Sequence, residues 1–411
     1  MKKRRKLALV GSAVLLSVGI LMPGNTPVAE ASPANVVNMP PVSGFIDHEE
    51  LTRELHQLER TSQGKVDVEV AGYSNQGREI YKATVGTGDK VVLIQSEIHG
   101  NEKVGTQALL EVLKRVGRNN SPDMRQLREE LTIVAIPMMN ADGSELNRRG
   151  NEMTWDEVVE RFPNLENASP SWNYYTYVKQ YWDYESNPGF DVNRDFNPDL
   201  DYTPQPEDFP GSSSQPGWYI TPESQTVRDV YKDLQEEFGE VDVFIDLHHQ
   251  GEYVIDGTDD PVTLSLSGVF VPDPSTEEGE KYSEYADQYD VEFSKQLNVA
   301  AYEALQQRGN SPFGNISLYP QDLDLPGTAL GTFALNGSGA VIFEITGQTQ
   351  SFGQKKMGQL RKATELGLFG ILDSLATGEV YDIDADRYHD IPEKQIKSLF
   401  DKGRLPTPEE L

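Results

Sequence analysis

The sequence predicts an α/β protein with a central mixed, mostly parallel sheet that is covered by helices on both faces. Three observations predict this fold class. Short apolar runs alternate with longer segments of helical periodicity. The central apolar runs are nearly free of polar residues, as strands buried on both faces are. Polar residues of catalytic type follow two of these runs, where open α/β sheets place their ligands.

The predicted elements follow in chain order. Asp47 is predicted to cap the first helix. The helix predicted at 103–116 gathers Leu109, Leu110 and Leu113 on one face, which would pack on the sheet. The predicted strands are 66–71, 79–85, 91–95, 131–138, 241–247 and 340–345, and the last predicted helix is 359–375.

Two long stretches interrupt this alternation. Residues 155–188 are rich in Trp, Tyr, Asn and Pro, and residues 199–222 are dominated by Pro, Asp and Ser. Long loops in a compact domain usually build a site or are disordered. We expect the aromatic stretch to form an ordered wall of a cleft and the second stretch to form a flexible rim.

The N-terminus predicts an exported protein. Five basic residues at 2–6 precede an apolar run at 7–22, and Val28-Ala29-Glu30-Ala31 has the small-x-small pattern of a cleavage site. The alternative is a membrane anchor, but the run is shorter than a spanning helix usually needs. We therefore expect a secreted, extracellular protein with a signal peptide at 1–31. A linker at 32–44, one domain at 45–378 and an acidic C-terminal extension at 379–411 complete the predicted organisation.

Charge limits the partners that the protein can bind, and cysteine content limits the ways in which it can be stabilised. Cleavage after Ala31 would reduce 36 basic and 66 acidic residues to 31 and 65, a net charge of −34. Such a chain would be repelled by nucleic acid and by anionic membranes, so we expect neither as a partner. The acidity would also suit a salty habitat or bound calcium. The chain has no Cys, so stability must come from the core and any metal rather than from disulfides.

A histidine and a glutamate follow the strand predicted at 91–95. His99 and Glu102 stand three residues apart in Ile98-His99-Gly100-Asn101-Glu102. Imidazole nitrogen and carboxylate oxygen at this spacing can reach one small cation, and both suit zinc. The alternative is a solvated loop, which this segment alone predicts about equally well.

A pair of histidines ends the strand predicted at 241–247. On a strand Asp246 and His248 share one face, while His249 points to the other. One of the two histidines can complete a His/Glu/His zinc site with a fourth position open, as in catalytic zinc sites. The alternative is a pair of core or surface histidines with satisfied hydrogen bonds.

The segment Asp191-Val192-Asn193-Arg194-Asp195-Phe196 begins like a calcium loop. Its sixth position holds Phe196 where such a loop needs glycine, so we reject calcium binding here. Asn193 and Arg194 are better explained as recognition groups, because an amide and a guanidinium in one turn can bind a carboxylate. Asp191 can then accept the second N–H of a ligand histidine.

A glutamate interrupts the apolar strand predicted at 340–345. Burying the charge of Glu344 is costly unless a metal ion or a metal-bound water compensates. Glu344 is therefore the best candidate in the sequence for a general base that takes a proton from water and returns it to a leaving amine. The alternative places Glu344 on the outer face of an edge strand.

The strand predicted at 131–138 is followed by Asn140-Ala141-Asp142-Gly143, a turn by composition. The arginine pair Arg148 and Arg149 comes close behind. This pair is either a solvated charge run or the source of a guanidinium for the oxyanion of acyl transfer.

These motifs, in this order, resemble those of the M14 (funnelin) zinc carboxypeptidases, over roughly residues 45–376. The resemblance implies a single carboxypeptidase-like catalytic domain and a zinc metallopeptidase that hydrolyses C-terminal peptide bonds by Glu-assisted attack of zinc-bound water on a peptide substrate. It implies Zn²⁺ as cofactor, with the following residues: metal ligands His99, Glu102 and His248, support of His99 by Asp191, general base Glu344, carboxylate-binding Asn193 and Arg194, and oxyanion-binding Arg148, with Arg149 as the alternative.

The chain departs from the family pattern in two places. Ala141 replaces the proline of the family's Asn-Pro-Asp-Gly turn, which should be tolerable. Digestive members carry an Asp-Trp-x-Tyr stretch whose tyrosine caps the substrate, but this chain has Gly331-Thr332-Phe333-Ala334. Tyr319 is a weak substitute for that tyrosine, so the preference for a terminal side chain is not predicted.

Two other functions fit the same motifs. A zinc amidase would release acyl groups or cleave γ-glutamyl links in cell-wall peptides, with the 199–222 loop shaping a cleft for branched substrates. A binding module of the same fold would have lost the chemistry, which is disfavoured by the presence of Glu344, Arg148 and all three metal ligands.

Overall fold

Apolar runs form the centre of the sheet, as the sequence predicts. The computed structural model describes residues 44–168, 188–208, 210–307, 312–347 and 353–396. Its strands are β1 (Val66–Tyr73), β2 (Glu79–Gly86), β3 (Lys90–Ser96), β4 (Leu131–Ile136), β5 (Val243–Gln250), β6 (Tyr253–Ile255), β7 (Leu264–Ser267), β8 (Ile316–Leu318), β9 (Gly339–Thr346) and β10 (Lys394–Ile396).

Among the described residues, eight strands form one sheet in the order β1-β2-β4-β3-β5-β9-β7-β8, and β6 pairs with β10 in a separate two-stranded sheet. The four central strands β4, β3, β5 and β9 run parallel. They are buried along almost their whole length, which explains their continuous apolar sequences. Antiparallel pairs extend the sheet at both sides, so the predicted mixed, mostly parallel sheet is confirmed.

Helices cover both faces of the sheet. Alternate residues of each central strand point to opposite faces and join two separate apolar clusters. The helices are α1 (His48–Thr61), α2 (Val104–Arg118), α3 (Pro122–Glu130), α4 (Ala141–Glu145), α5 (Trp155–Arg161), α6 (Pro222–Phe238), α7 (Val291–Gln306), α8 (Ala329–Leu335) and α9 (Gln354–Thr377). Residues of α1, α2, α7 and α9 pack on one face, and residues of α6 and α8 pack on the other. Within the described ranges, none of these helices has the length and apolarity to span a membrane.

Several boundaries differ from the predicted ones. The strand predicted at 241–247 continues to Gln250, so both histidines lie inside β5. The predicted turn Asn140-Ala141-Asp142-Gly143 forms the helix α4, because the Asn140 side chain accepts the Gly143 N–H and caps its start. The stretch 199–222, predicted to be a flexible rim, contains the fully buried side chains Trp218 and Tyr219. Most of the predicted aromatic wall (residues 169–187) lies outside the described residues.

The chain continues to pack beyond the predicted domain boundary at 378. Val380, Tyr388 and Ile391 are buried. The Leu318 N–H of β8 donates to the Pro392 carbonyl at 2.8 Å, and the strand β10 then pairs with β6. Residues 379–396 are therefore part of the folded unit rather than a separate extension. The predicted signal peptide (1–31), nearly all of the predicted linker and residues 397–411 lie outside the described residues.

Candidate metal centre

His99, Glu102 and His248 converge at the carboxyl ends of β3 and β5. Adjacent parallel strands end at the same edge of a sheet, so the loop after β3 and the end of β5 meet there. The Nδ1 atoms of the two histidines are 3.1 Å apart, and each lies 3.0 Å from Glu102 Oε2. All three side chains are buried. Two imidazoles and one carboxylate facing a common point match the ligand set of a zinc site with an open position.

The outer nitrogens of both histidines face carboxylates. His99 Nε2 lies 3.2 Å from Asp191 Oδ1, and His248 Nε2 lies 2.9 Å from Asp246 Oδ2. These carboxylates accept the outer N–H groups, which leaves the lone pair of each Nδ1 directed at the other ring and at Glu102. A metal ion placed between these atoms would accept both lone pairs and balance the charge of Glu102, so the donor set fits a metal ion. Asp191 therefore lies where the sequence predicted it, and Asp246 supports the second histidine.

The two histidines of β5 point to opposite sides. His249 Nε2 accepts the Val104 N–H at 3.0 Å, on the face covered by α2. Burial lowers the pKa of His249 to about 4, so this ring stays neutral and keeps its acceptor nitrogen. His248, two residues after Asp246, lies on the other face with the metal-binding group. This is the placement that the strand periodicity predicted.

The loop between His99 and Glu102 is held at its flanks by a buried ion pair. Lys103 Nζ lies 3.6 Å from Glu97 Oε2 and donates to the Ser144 carbonyl at 2.8 Å. Thr106 donates its hydroxyl to the other oxygen of Glu97. Glu97 itself has the uncommon backbone angle φ = 55°, which turns the chain out of β3. These contacts fix the loop that presents the two ligands.

Arg149, rather than Arg148, lies in the candidate site. Arg149 Nε donates to Asp191 Oδ2 at 2.9 Å, and its Nη1 is 3.2 Å from His99 Nδ1. Arg148 turns away and donates to the backbone carbonyls of Asn151 and Pro188. This placement favours Arg149, the alternative in the sequence analysis, over Arg148, which holds two loop segments together.

Asn193 and Arg194 follow Asp191 in a tight turn at the pocket wall. The Asn193 side chain accepts the Ala329 N–H at 3.1 Å and lies 3.4 Å from His248 Nε2. Arg194 Nη1 donates to the Asn193 carbonyl at 2.6 Å, and both side chains line the pocket. Asp195 points away from the pocket and accepts hydrogen bonds from Ile220, Thr221 and Ser224. Its carboxylate is thus occupied, in agreement with the rejection of a calcium loop.

Glu344 lies opposite His248 in the pairing of β5 with β9 and lines the same pocket. Its side chain is only slightly accessible, at 6% for the residue. Burial raises the pKa of Glu344, and the negative charge of Glu102 acts in the same direction. The positive charges of His248, Lys394 and Arg149 lower it, but they do not outweigh burial. A buried carboxylate with a raised pKa beside a metal-binding group is suited to accept a proton.

The rest of the pocket contains Tyr319, the weak substitute named from the sequence for the capping tyrosine, and seven residues that the sequence did not single out. Tyr319 lies close to Glu344, whose charge is the main cause that holds the pKa of the tyrosine well above its usual range. Gln250 and Ile342 belong to the long strands β5 and β9, and the other wall residues lie in loops or short elements, so no sequence pattern marked any of them as part of a site. They are Gln250, Gly251, Tyr253, Phe270, Leu325, Thr328 and Ile342.

The chain matches a known family model and is similar to solved structures of other proteins. The family model described as zinc carboxypeptidase matches residues 51–366. The crystal structure of thrombin activatable fibrinolysis inhibitor is similar over 85% of this chain and 84% of its own length, with 14% sequence identity and a TM-score of 0.53. The carboxypeptidase A of Helicoverpa armigera is similar over 82% of this chain and 75% of its own length, with 15% identity and a TM-score of 0.53. At these identities, the two structures show a shared fold.

Proposed function

The chain belongs to the zinc carboxypeptidase family M14, and on that premise we propose that it is an exported enzyme that cleaves the C-terminal peptide bond of peptides, with Glu344 as general base. The observation that carries this proposal is the convergence of His99, Glu102 and His248, with Glu344 directly across from His248. The predicted signal peptide supports export to the extracellular space.

The three converging side chains would hold the zinc ion on which the family depends. A zinc ion at this position would polarise the substrate carbonyl and increase the acidity of water. Asp191 and Asp246 keep the outer N–H groups of His99 and His248 occupied, so the inner nitrogens remain available as ligands.

Glu344 would move the proton during hydrolysis. Its carboxylate accepts a proton from the attacking water and returns it to the nitrogen of the leaving residue. The guanidinium of Arg149 stabilises the negative charge that develops on the carbonyl oxygen, because it is already oriented by Asp191. Each of these steps uses a side chain that the fold holds in the pocket.

Asn193 and Arg194 would bind the C-terminal carboxylate of the substrate. A guanidinium and an amide on one turn provide charge-assisted hydrogen bonds to a carboxylate. Arg194 is partly exposed where it lines the pocket, so a substrate carboxylate can reach it. This contact would select substrates with a free C-terminus.

Comparing free-acid and amidated peptides tests the proposal. Arg194→Ala should slow cleavage of a free-acid peptide by about ten- to a hundredfold, as expected for loss of a charge-assisted pair. Cleavage of the C-terminally amidated peptide, measured as kcat/KM in parallel, should change little, because that substrate never uses the contact. Arg228→Ala, which changes an arginine of α6 that lies over Tyr219, is the matched control.

Equal losses on the two substrates would contradict carboxylate recognition by Arg194. Preferential cleavage of the amidated peptide or of cell-wall peptides by the wild-type protein would instead identify an amidase with the same metal centre.

A further inference from the structure

A lysine from the C-terminal segment contacts three residues of the pocket wall. The ammonium group of Lys394 lies 4.2 Å from the ring centre of Tyr253 and 4.4 Å from that of Tyr319. It donates a hydrogen bond to Gln250 Oε1. Gln250, Tyr253 and Tyr319 all line the pocket. Lys394 lies outside residues 51–366, so the family model does not assign it.

The fold fixes the position of this lysine. β10 pairs with β6 through Lys394, Gln395 and Ile396, and the Asp256 N–H donates to the Glu393 carbonyl at 3.0 Å. The preceding turn is anchored by the buried side chain of Ile391. Lys394 is therefore held by the fold against three residues of the pocket wall, while its side chain stays partly accessible.

The ammonium group retains hydrogen-bonding capacity and charge. Within the described ranges, its hydrogen-bond acceptor is the neutral amide of Gln250, and no carboxylate lies within 4.0 Å of it. An ammonium group has three N–H donors, so two are available to a ligand. Burial lowers the pKa of Lys394 to about 8, with Glu344 acting against that shift, so the group is mostly protonated at neutral pH.

Arg194 lines the pocket, and Lys394 contacts residues of a different part of the pocket wall. Arg194 belongs to the turn after Asp191, whereas Lys394 belongs to the strand pair β6–β10 and contacts the end of β5, two residues beyond His248. Arg194 would hold the terminal residue of a bound peptide. The penultimate residue, which contributes the scissile carbonyl, would then face the part of the wall that contains Tyr253 and Tyr319.

We propose that Lys394 is a specificity-determining residue that binds a carboxylate on the substrate residue contributing the scissile carbonyl. This inference rests on the proposed carboxypeptidase function. Two substrates carry the required group: an α-linked peptide with Asp or Glu in the penultimate position, and a γ-linked glutamyl peptide, whose free α-carboxylate lies on the same residue. The flanking rings of Tyr253 and Tyr319 hold the ammonium group in place by cation–π contact.

Matched dipeptides test this assignment. The purified full-length mature protein with zinc is assayed on N-acylated Glu-Phe and Gln-Phe, which differ by one charge, and on γ-linked Glu-Phe and its α-amide. The wild-type protein should prefer the acidic member of at least one pair by about tenfold in kcat/KM, the scale of one hydrogen bond to a charged group. The pair that shows the preference identifies which of the two carboxylates is bound.

Variants of Lys394 separate recognition from structure. Lys394→Met should bring the acidic-to-neutral ratio close to one, and Lys394→Arg should restore most of it. Lys82→Met removes another partly buried strand lysine, paired with Glu69 on the far side of the sheet, and should leave the ratio as in wild type. Thermal unfolding of each variant confirms that it is folded.

Two outcomes would overturn the inference alone: a wild-type protein that cleaves both members of each pair equally, or a Lys394→Met protein that retains the wild-type ratio. A zinc-loaded wild-type protein that cleaves none of the four peptides would overturn the proposed function, and this inference with it.

Discussion

The side chains of His248 and His249 leave the same strand in opposite directions, and this difference gives a clear test of the metal ligands. His248 faces His99 and Glu102, whereas His249 accepts a backbone N–H of α2. His248→Ala should lose zinc and activity together. His249→Ala should keep about one zinc per chain, because the His249 side chain faces α2 rather than the metal-binding group. Metal content and hydrolysis rate of both purified variants measure this, and the reverse pattern would shift the ligand by one residue.

The adjacent residues Arg148 and Arg149 allow a second test with single substitutions, which asks which arginine stabilises the oxyanion. Arg149→Met should lower kcat by about a hundredfold or more, as expected when a group that stabilises an oxyanion is removed. Arg148→Met should lower the unfolding temperature, because two loop carbonyls lose their donor. The kcat of the folded Arg148→Met protein should stay close to wild type.

Measuring kcat, zinc content and thermal unfolding for the two arginine variants separates these effects. A catalytic loss confined to Arg148→Met would restore Arg148 as the residue that binds the oxyanion.

Sequence alone could place the two histidines on opposite faces of a strand, but it could not predict the directions of the two arginines. The faces of a strand alternate with every residue, so the distance from Asp246 determined which histidine shares its side. Arg148 and Arg149 instead follow Asn147, whose backbone has the left-handed angle φ = 49°. The direction of side chains after such a residue depends on tertiary contacts, here with Asn151 and Asp191, which no local pattern contains.

At the scale of elements, the start of α6 contains a carboxyl group whose ionisation opposes folding. Burial raises the pKa of Glu223 from 4.5 to about 7, and the nearby charge of Asp142 acts in the same direction. The group is neutral in both states below pH 4.5. Between pH 4.5 and about 7 the unfolded chain ionises while the folded protein holds its proton, so this contribution to stability is lost as the pH rises.

Comparing wild type with Glu223→Gln tests this pH dependence. The amide does not titrate, so the free energy of unfolding of wild type minus that of the variant should decrease between pH 4.5 and 8, by up to roughly 3 kcal/mol. Denaturant unfolding of both proteins across this range measures the difference, with the same zinc content in each. A difference that is constant with pH, or that grows as the pH rises, would exclude Glu223 as a group titrating in this way.

Elements with a strong sequence pattern were predicted, whereas elements with a weak or obscured pattern were not assigned. The central strands have unbroken apolar sequences and were located to within a few residues. α6 was missed although Thr221 and Pro222 form a helix start and Gly239 forms a helix end, because the surrounding loop residues obscured these signals. The strands β6, β7, β8 and β10 have three or four residues each, and such short strands are defined by long-range pairing.

At the scale of the whole molecule, the order of the motifs predicted the site because parallel strands end at one edge of the sheet. His99 follows β3, His248 lies near the end of β5 and Glu344 lies in β9, so the strand order β3-β5-β9 brings them together. The contribution of Lys394 could not be predicted in this way. It depends on the pairing of two strands of three residues that are separated by well over a hundred positions in the chain.

The most direct test of the central claim is a parallel measurement of zinc content and peptide hydrolysis in wild type and Glu344→Gln. The wild-type protein should bind about one zinc per chain and cleave free-acid peptides. The variant should fold and keep its zinc but lose about a hundred- to ten-thousandfold in rate, because an amide cannot accept the proton of water. A zinc-loaded Glu344→Gln protein with near-normal turnover would contradict the account and remove Glu344 from the mechanism.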